Sequence, residues 1–308
     1  MDGFIIVDKP AGMTSHDVVS SVRRLAGMKK VGHTGTLDPF ATGVLPVALG
    51  EGTKAIQFLD ESVKEYRAVM KLGETTDTQD CTGSIIRRGA WQGMTPDSIR
   101  EAARNFLGRG SQVPPMYSAL KRNGVPLYRI ARKGEEVPRE PRAIEIFSLD
   151  VDRIELPEVA FTVRCSRGAY VRTLASDMGD LLGCGAHLVQ LRRTASGPFT
   201  LGQAISLEKL AEVTGHHGLP ALLISCLEAL SPLRNLPLSE QGAARVATGI
   251  FPEDGDFETP PREALGPGER VLLSRNGLLL AVAESAAGGW PVAGEKPRLL
   301  RVFNVPHN

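Results

Sequence analysis

The stretch HTGTLDPFATGVLPVALG, residues 33 to 50, carries a single acidic residue, Asp38, among small, apolar and glycine residues. Neither a helical nor a strand period can be read in it. Because Asp38 precedes Pro39, its backbone is pushed toward an extended or turn conformation, and the nearby glycines allow tight bends. The local sequence leaves two interpretations open: Asp38 caps its own loop as an Asx-turn residue, or the loop holds the carboxylate at a pocket wall.

The composition of the whole chain limits the class of protein. With 308 residues and 42% hydrophobic content, the chain can bury one large core or two smaller ones, and two domains are expected. The formal charge is +1, so a surface that binds nucleic acid must be a local patch. We expect a soluble, cytoplasmic protein without a membrane segment, because no basic leader and no long apolar run occur.

Several common chemistries lack their sequence signals. The four cysteines are far apart and form no CxxC pair, which argues against a disulfide framework, a zinc site or redox chemistry. No Walker pattern, no GxGxxG after a strand, no GxSxG and no HExxH occurs. Nucleotide hydrolysis, hydride transfer and zinc proteolysis are therefore unsupported, and no metal is expected.

Local patterns predict a series of helices and strands, with a domain boundary near residues 231–237. In chain order they are a strand over 4–7; a helix capped by Thr14 or Ser15 and ended by Gly27; a half-exposed strand over 65–72; a helix from Thr95-Pro96 closed by Gly108; a strand over 159–165; a helix through Leu174, Met178 and Leu181; a hairpin with its turn at Asn276-Gly277; and a strand over 299–303.

The segment from Leu107 to Ala143 is unusually basic. Its eight basic residues outnumber three acids, which gives a local charge of +5, and prolines and two tyrosines are interleaved with them. The basic residues are Arg109, Lys121, Arg122, Arg129, Arg132, Lys133, Arg139 and Arg142. The composition alone fits either a solvated excursion or an arm that lies on RNA phosphates with aromatic rings near bases.

Residues 33–45 resemble the aspartate motif of the TruB family of pseudouridine synthases, which isomerise the T-loop uridine at tRNA position 55. The other family signatures, one before this motif and four after it, occur in order and together extend from Lys9 to Arg193. The residues of this chain that resemble these signatures are Val7-Asp8-Lys9-Pro10-Ala11-Gly12, Tyr66-Arg67, Thr76-Asp77-Thr78-Gln79-Asp80, Arg167-Gly168-Ala169-Tyr170-Val171-Arg172 and Leu191-Arg192-Arg193-Thr194. The matches span about two thirds of the chain and occur in the family's order, so the resemblance is specific.

The resemblance implies an α+β fold: a pseudouridine-synthase catalytic fold with a mixed, largely antiparallel sheet flanked by helices, plus a small C-terminal β-rich domain similar to a PUA domain. We therefore expect a catalytic domain over 1–233, an inserted RNA-binding arm over 107–143 and a PUA-like RNA-binding domain over 234–308. The last match is looser. Eight basic and nine acidic residues give this last segment a charge of −1, which argues against strong nonspecific RNA binding by it.

The implied chemistry explains a lone carboxylate. Pseudouridine formation breaks the N1 to C1′ bond, turns the uracil and rejoins it through C5, so no cofactor is consumed. One carboxylate nucleophile suffices, by attack at C6 or by a route through C1′, whereas a second acid would invite water to trap a ribosyl intermediate. Because the base is hidden in a folded loop, it must be flipped out.

The resemblance also implies roles for individual residues. Asp38 is the nucleophile, Tyr66 stacks on the flipped base and assists proton removal at C5, and Arg172 pairs with Asp38 as a planar fork. The resemblance further implies that Tyr170 and Leu191 line the pocket and that Lys9 and Pro10 support the loop. It implies that His33 fills the stack vacated by the flipped uridine and that Asp80 contacts the everted nucleotides. The arm residues implied to contact phosphates are Arg129, Arg132 and Lys133.

The implied partner is tRNA, bound at its T-arm and, through the C-terminal domain, at its acceptor end, with no obligatory protein partner. Two alternatives stay open. One is a catalytic subunit of a guide-RNA pseudouridylation complex, whose branch shares the motifs but relies on partner proteins and lacks the inserted arm. The other is a chaperone of tRNA folding that binds the T-arm without needing Asp38.

Overall fold

The computed structural model describes residues 1–215, 218–259, 264–289 and 297–304. The strands are β1 (Gly3–Lys9), β2 (Val31–His33), β3 (Thr42–Leu49), β4 (Val63–Leu72), β5 (Glu74–Thr76), β6 (Ile85–Arg88), β7 (Gly108–Gln112), β8 (Lys121–Arg122), β9 (Val125–Pro126), β10 (Arg142–Glu155), β11 (Glu158–Ser166), β12 (Ala186–Ser196), β13 (Phe199–Thr200), β14 (Arg234–Pro237), β15 (Arg270–Arg275), β16 (Leu278–Glu284) and β17 (Arg298–Val302). The helices are α1 (Ser15–Ala26), α2 (Gly52–Ala55), α3 (Pro96–Arg104), α4 (Leu127–Ala131), α5 (Val171–Leu181), α6 (Leu207–Gly215), α7 (Cys226–Ala229) and α8 (Glu240–Ala247).

A large sheet organises the first part of the chain, with strand order β1-β3-β12-β4-β11-β10-β7 and with β2 and β13 paired at its side. Only the pairing of β12 with β3 is parallel among the described strands of this sheet. The sheet is therefore mixed and largely antiparallel, as the family resemblance implies.

Helices cover one face of this sheet. β4 alternates strictly, and its buried positions include Tyr66, Ala68 and Met70. This face packs against apolar residues of α1, α3, α5 and α6 in one continuous core. The helix α1 has the predicted ends, because Thr14 caps its N-terminus and Gly27 adopts a left-handed conformation just after it.

The strand β3 corrects the interpretation of residues 33–50 as a stretch without a period. Its residues from Gly43 to Leu49 are all buried, because β1 pairs along one edge, β12 and β2 pair along the other, and both faces are covered. A strand that is buried on both faces shows a continuous apolar run and no alternation. The carboxylate of Asp38 thus lies on a short loop between β2 and a central strand.

Two further predictions require correction. The helix α3 ends at Arg104 rather than near Gly108, which has a positive φ and begins β7. The predicted arm over 107–143 includes residues of the large sheet at both ends, since β7 pairs with the first residues of β10. The excursion outside the sheet therefore runs over residues 113–141, and we call it the excursion below.

A second sheet, with strand order β14-β15-β16-β17, forms the C-terminal part. Its hairpin turns at Asn276 and Gly277, both at positive φ, as the Asn-Gly pair predicts. One apolar cluster joins the two sheets, because Phe4, Ile6 and Val44 of the large sheet pack with residues of β15 and β16. No helix among the described residues is long and apolar enough to cross a membrane.

Candidate active site

Lys9 of β1 and Ser15 of α1 hold the loop of residues 34–41, which carries Asp38. Lys9 Nζ donates to the carbonyl oxygens of Pro10, Met13 and Pro39 at 2.9, 2.6 and 3.2 Å. Ser15 Oγ accepts from the backbone N–H of Leu37 at 2.8 Å. Burial lowers the pKa of Lys9 to about 8, against the raising effect of the Asp38 charge. Lys9 therefore supports the loop rather than lining an open surface, and Pro10 contributes a carbonyl acceptor to Lys9.

Arg193 fastens the same loop from the sheet side. It is fully buried at the end of β12, and it donates to the carbonyl oxygens of Gly35 at 3.1 Å, Thr36 at 3.5 Å and Val44 at 2.7 Å. Gly43 has a positive φ, and a Cβ on it would lie 2.2 Å from the carbonyl oxygen of Arg193. A glycine is thus required where the loop enters β3.

The carboxylate of Asp38 faces Arg172, the second residue of α5. Arg172 Nε lies 2.8 Å from Asp38 Oδ2, and Nη2 donates to Oδ1 at 3.2 Å. The Nη2 contact is a hydrogen bond, whereas the Nε contact is an ion pair at short distance in which Nε makes no hydrogen bond. The contact between these residues, expected from the sequence, is present, and the carboxylate points toward α5 rather than into its own loop.

Three other groups orient Arg172, whose side chain is only 2% exposed. Nη1 donates to the carbonyl oxygen of Thr78 at 2.8 Å, and Nη2 donates to that of Tyr117 at 2.9 Å. Asp80 Oδ2 lies 3.6 Å from Nη1. The guanidinium is therefore fixed by the segment after β4, by the excursion and by two carboxylates.

Asp38 is partly open to solvent, with 30% of its side-chain surface exposed, although the protein surrounds it on its other sides. Removal from bulk water raises the pKa of the Asp38 carboxyl, and the nearby charge of Asp80 adds to this. The guanidinium of Arg172 and the ammonium of Lys9 oppose that rise by stabilising the ionised form.

Asp80 is buried and its acceptors are largely occupied. Its Oδ1 accepts from Thr78 Oγ1 at 2.8 Å and from the Thr82 N–H and Oγ1 at 2.9 and 2.6 Å. Asp38 is therefore not the sole acid of the site, since Asp80 shares Arg172 with it. Contact of Asp80 with everted nucleotides, as the resemblance implies, would have to use Oδ2.

Tyr66, Leu191 and Tyr170 come from three elements. Tyr66 is buried on β4, and burial raises the pKa of its phenol, while hydrogen bonding and the charge of Arg193 lower it. Leu191 is buried on β12, opposite Ala68 in the neighbouring strand. Tyr170 is half-buried at the start of α5, where its backbone exchanges two hydrogen bonds with the side chain of Gln112, at 2.7 and 3.1 Å. Burial also raises the pKa of the Tyr170 phenol.

His33 ends β2, just before the loop. Its ring is half-buried, and its Nδ1 is enclosed without a hydrogen-bond partner among the described residues. Burial lowers the pKa of the imidazole, so the neutral form is favoured. No hydrogen bond joins His33 to Asp38 in the described part of the chain.

The arm residues Arg129, Arg132 and Lys133 lie on and just after α4, and all three are exposed. The guanidinium of Arg132 lies 5.5 Å from the centre of the Tyr128 ring. No direct contact brings these three side chains to Asp38. The same excursion nevertheless reaches the site through the backbone carbonyl of Tyr117.

Sequence reasoning assigned no role to Arg193 and Lys64. Arg193 lies inside a quoted family motif, but its hydrogen bonds to carbonyl oxygens depend on β3 lying beside β12. Lys64 lies two residues before Tyr66, and the alternation of β4 could have placed both on one face. No group of three or more His, Cys, Asp or Glu that could hold a metal occurs among the described residues.

Comparisons with known proteins identify the family of the chain. The family model for the N-terminal domain of TruB family pseudouridylate synthases matches residues 23–171. A second model, for the C-terminal domain of tRNA pseudouridylate synthase B, matches residues 172–230. The chain is 58% identical to the tRNA pseudouridine synthase B of Geotalea uraniireducens, over 100% of this chain and 99% of that protein. It is also 58% identical to the protein of the same name from Geobacter sulfurreducens, over 99% of this chain and all of that protein.

Two solved structures share the fold over almost the whole chain. A Cbf5-Nop10-Gar1 complex matches with a TM-score of 0.72 and 27% identity, over 99% of this chain and 84% of the other. An H/ACA RNP bound to a substrate RNA containing 2′-deoxyuridine matches with a TM-score of 0.74 and 25% identity, over 98% and 85%. Since relatives of 58% identity match along the full length, the chain belongs to the TruB family of pseudouridylate synthases.

Proposed function

We propose that this chain isomerises uridine to pseudouridine at position 55 in the T-loop of tRNA. The observation that carries the proposal is the pair of Asp38 and Arg172: a carboxylate open to solvent on one side, with one oxygen hydrogen-bonded to a buried guanidinium and the other 2.8 Å from its Nε. A fixed carboxylate with one free approach is suited, in its ionised form, to nucleophilic attack on a bound substrate.

Asp38 is the nucleophile, and attack at C6 of the uracil and attack at C1′ of the ribose both fit a single carboxylate. The N1 to C1′ bond breaks, the uracil turns, and a C5 to C1′ bond forms. The bond between Asp38 and the substrate, at C6 or at C1′, breaks again, which regenerates the carboxylate. The proton at C5 leaves and N1 gains one, so atoms balance without a cofactor. The charge of Arg172 favours the ionised form of Asp38, and the hydrogen bond from Nη2 restricts the orientation of the carboxylate.

The other residues of the site hold the base and the loop. Tyr66 stacks on the flipped uracil and assists removal of the C5 proton, while Tyr170 and Leu191 wall the pocket. His33, in its neutral form, fills the stack that the uridine leaves. We assign Asp80 first to the orientation of Arg172, since three donors occupy its Oδ1. Lys9 and Pro10 support the loop.

The chain is also proposed to act without a protein partner. Support comes from the excursion, which supplies the Tyr117 carbonyl to Arg172 from within the same chain. Arg129, Arg132 and Lys133, all exposed on this excursion, contact T-arm phosphates. The C-terminal sheet, which follows the segment matched by the family models, is assigned as a PUA-like domain near the acceptor end of tRNA.

A reaction with purified components tests the proposal. The chain is mixed with an unmodified T-arm stem-loop, without cofactor or other protein, and pseudouridine is detected by chemical labelling because its mass equals that of uridine. We expect the product only when uridine occupies the target position, and none with the Asp38→Asn variant. Absence of product from both the stem-loop and full tRNA would contradict the proposal; product only after addition of a guide RNA and partner proteins would favour the alternative.

A further inference from the structure

Lys64 lies at the edge of the site, on the same face of β4 as Tyr66. Its ammonium lies against Gly35, in the loop that carries Asp38: a Cβ placed on Gly35 would be 2.6 Å from Lys64 Nζ and 3.7 Å from Arg193 Nη1. The absence of a side chain at Gly35 therefore leaves room for two neighbouring cations beside the catalytic loop.

Lys64 differs from the other buried cations of the site in having no acceptor. Lys9 and Arg193 each donate to three carbonyl oxygens, and Arg172 contacts carbonyls and carboxylates. Within the described ranges, Lys64 makes no hydrogen bond and no ion pair, although it is only 9% exposed. A buried ammonium with three unused donors is costly unless an acceptor arrives.

The charges around Lys64 leave it incompletely compensated. Arg193 from β12 and Arg167 from the turn after β11 are cations, while Glu61, before β4, is the acid that faces it. Glu61 lies beyond ion-pair distance, and its Oε1 is enclosed without a partner. Burial and the neighbouring cations Arg193 and Arg167 lower the pKa of Lys64 to about 8, against the raising effects of Glu61 and Cys165.

Lys64 Nζ is not among the fully enclosed polar atoms that lack a partner, such as His33 Nδ1 and Glu61 Oε1. Since Lys64 Nζ also lacks a partner, it keeps some exposed surface next to the loop. An anion that reaches this surface would meet donors that no group among the described residues uses. A phosphate oxygen fits, because a lysine binds phosphate as a compact point charge.

We propose that Lys64 binds a phosphate of the RNA backbone adjacent to the everted uridine. The proposal rests on the proposed function, since it names a contact within the same site. It places a charge contact beside the base-flipping pocket, in addition to those on the exposed excursion. The competing arrangement is a structural one, in which water bridges Lys64 to Glu61 and the RNA makes no contact there.

A double-perturbation binding experiment tests the proposal. T-arm stem-loops, each with one neutral methylphosphonate linkage at a different position around the target, are titrated with the parent chain and with Lys64→Met. We expect Lys64→Met to weaken binding of the unmodified RNA roughly tenfold, as for one lost hydrogen bond between charged groups. We also expect its salt slope to flatten by about 0.7 to 0.9. At the linkage that Lys64 contacts, the loss of affinity caused by Lys64→Met and the loss caused by the neutral linkage should not add, because both remove the same contact.

Lys71→Met is the matched control, because Lys71 is on the same strand, is more exposed and already pairs with Glu74 at 2.8 Å. Lys71→Met should weaken RNA binding only slightly, and by the same factor for every stem-loop with a neutral linkage. Strict additivity of Lys64→Met with all neutral linkages, or an unchanged salt slope, would overturn the proposal and favour the water-bridged pair. Lys64→Arg, which keeps the charge, should restore part of the affinity. Because product formation by the parent chain is measured separately, failure here is distinct from failure of the proposed function.

Discussion

The loop that carries Asp38 and the excursion over residues 113–141 are held in opposite ways. Lys9, Ser15 and Arg193, all buried, bond the backbone of the loop from two sides. The excursion carries two-residue strands and a five-residue helix, and its basic side chains Arg129, Arg132 and Lys133 are exposed. The proposed nucleophile thus lies on a loop that buried side chains hold, and the proposed RNA contacts lie on a segment whose basic side chains stay in solvent.

The largest expected effect is at the loop. Asp38→Asn keeps the shape of the side chain but removes the nucleophile, so turnover of the T-arm stem-loop should fall by more than about 10³-fold. The dissociation constant for RNA should change little, since the phosphate contacts remain. Single-turnover kinetics and a binding titration measure the two quantities. A variant that keeps the parent rate would remove Asp38 from the mechanism.

The next effect concerns the partner of Asp38. Arg172→Lys retains the charge but cannot meet both carboxylate oxygens while also reaching the carbonyls of Thr78 and Tyr117. We expect the single-turnover rate to fall at least about tenfold, equivalent to roughly 1.4 kcal/mol of transition-state stabilisation.

Arg172→Ala should be slower still and should also lower the free energy of unfolding, by about 3 to 5 kcal/mol, because Asp80 loses its buried cation. Denaturant unfolding measures this loss. A lysine variant with the full rate would show that the fork is not needed.

The excursion should respond in affinity rather than rate. Replacing Arg129, Arg132 and Lys133 with Ala should flatten the dependence of log K on log salt by about 2, because each phosphate contact releases counterions. The rate at saturating RNA should change much less.

A matched triple variant replaces the exposed Arg100, Arg153 and Lys209, each already paired with an acid on its own segment. This control should leave the salt slope unchanged. If the parent and the Arg129, Arg132 and Lys133 variant have equal salt slopes, the excursion is a solvated surface segment and these side chains do not contact phosphates.

The smallest expected effect is a shift in pH dependence. Burial raises the pKa of Asp38, and the ionised form is the nucleophile, so the rate is full above that pKa and falls as the pH falls through it. Arg172→Gln removes a charge that favours ionisation, and the acidic limb of its rate profile should move to higher pH. A limb at the same pH in both proteins would mean that another group controls it.

The sequence indicated much of the site and less of the sheet that positions it. The contact of Asp38 with Arg172 was expected from two motifs that lie far apart in the chain. The strand β3 was missed because it is buried on both faces and shows no period, and β12 was quoted as a motif without being recognised as a strand. The hydrogen bonds of Arg193 to carbonyl oxygens of the loop and of β3, and the position of Lys64 against Gly35, depend on how the strands are arranged in the sheet, so no local pattern could reveal them.

The apolar cluster shared by the two sheets has a consequence for folding cooperativity. β3 follows the catalytic loop directly, and its residue Val44 packs in the same cluster as Leu272 and Val282 of the C-terminal sheet. Loss of the C-terminal sheet would expose this side of β3, at a cost of about 1.5 to 3 kcal/mol for each large side chain uncovered. Thermal unfolding should therefore show a single transition, in which the C-terminal sheet and the strand behind the catalytic loop are lost together.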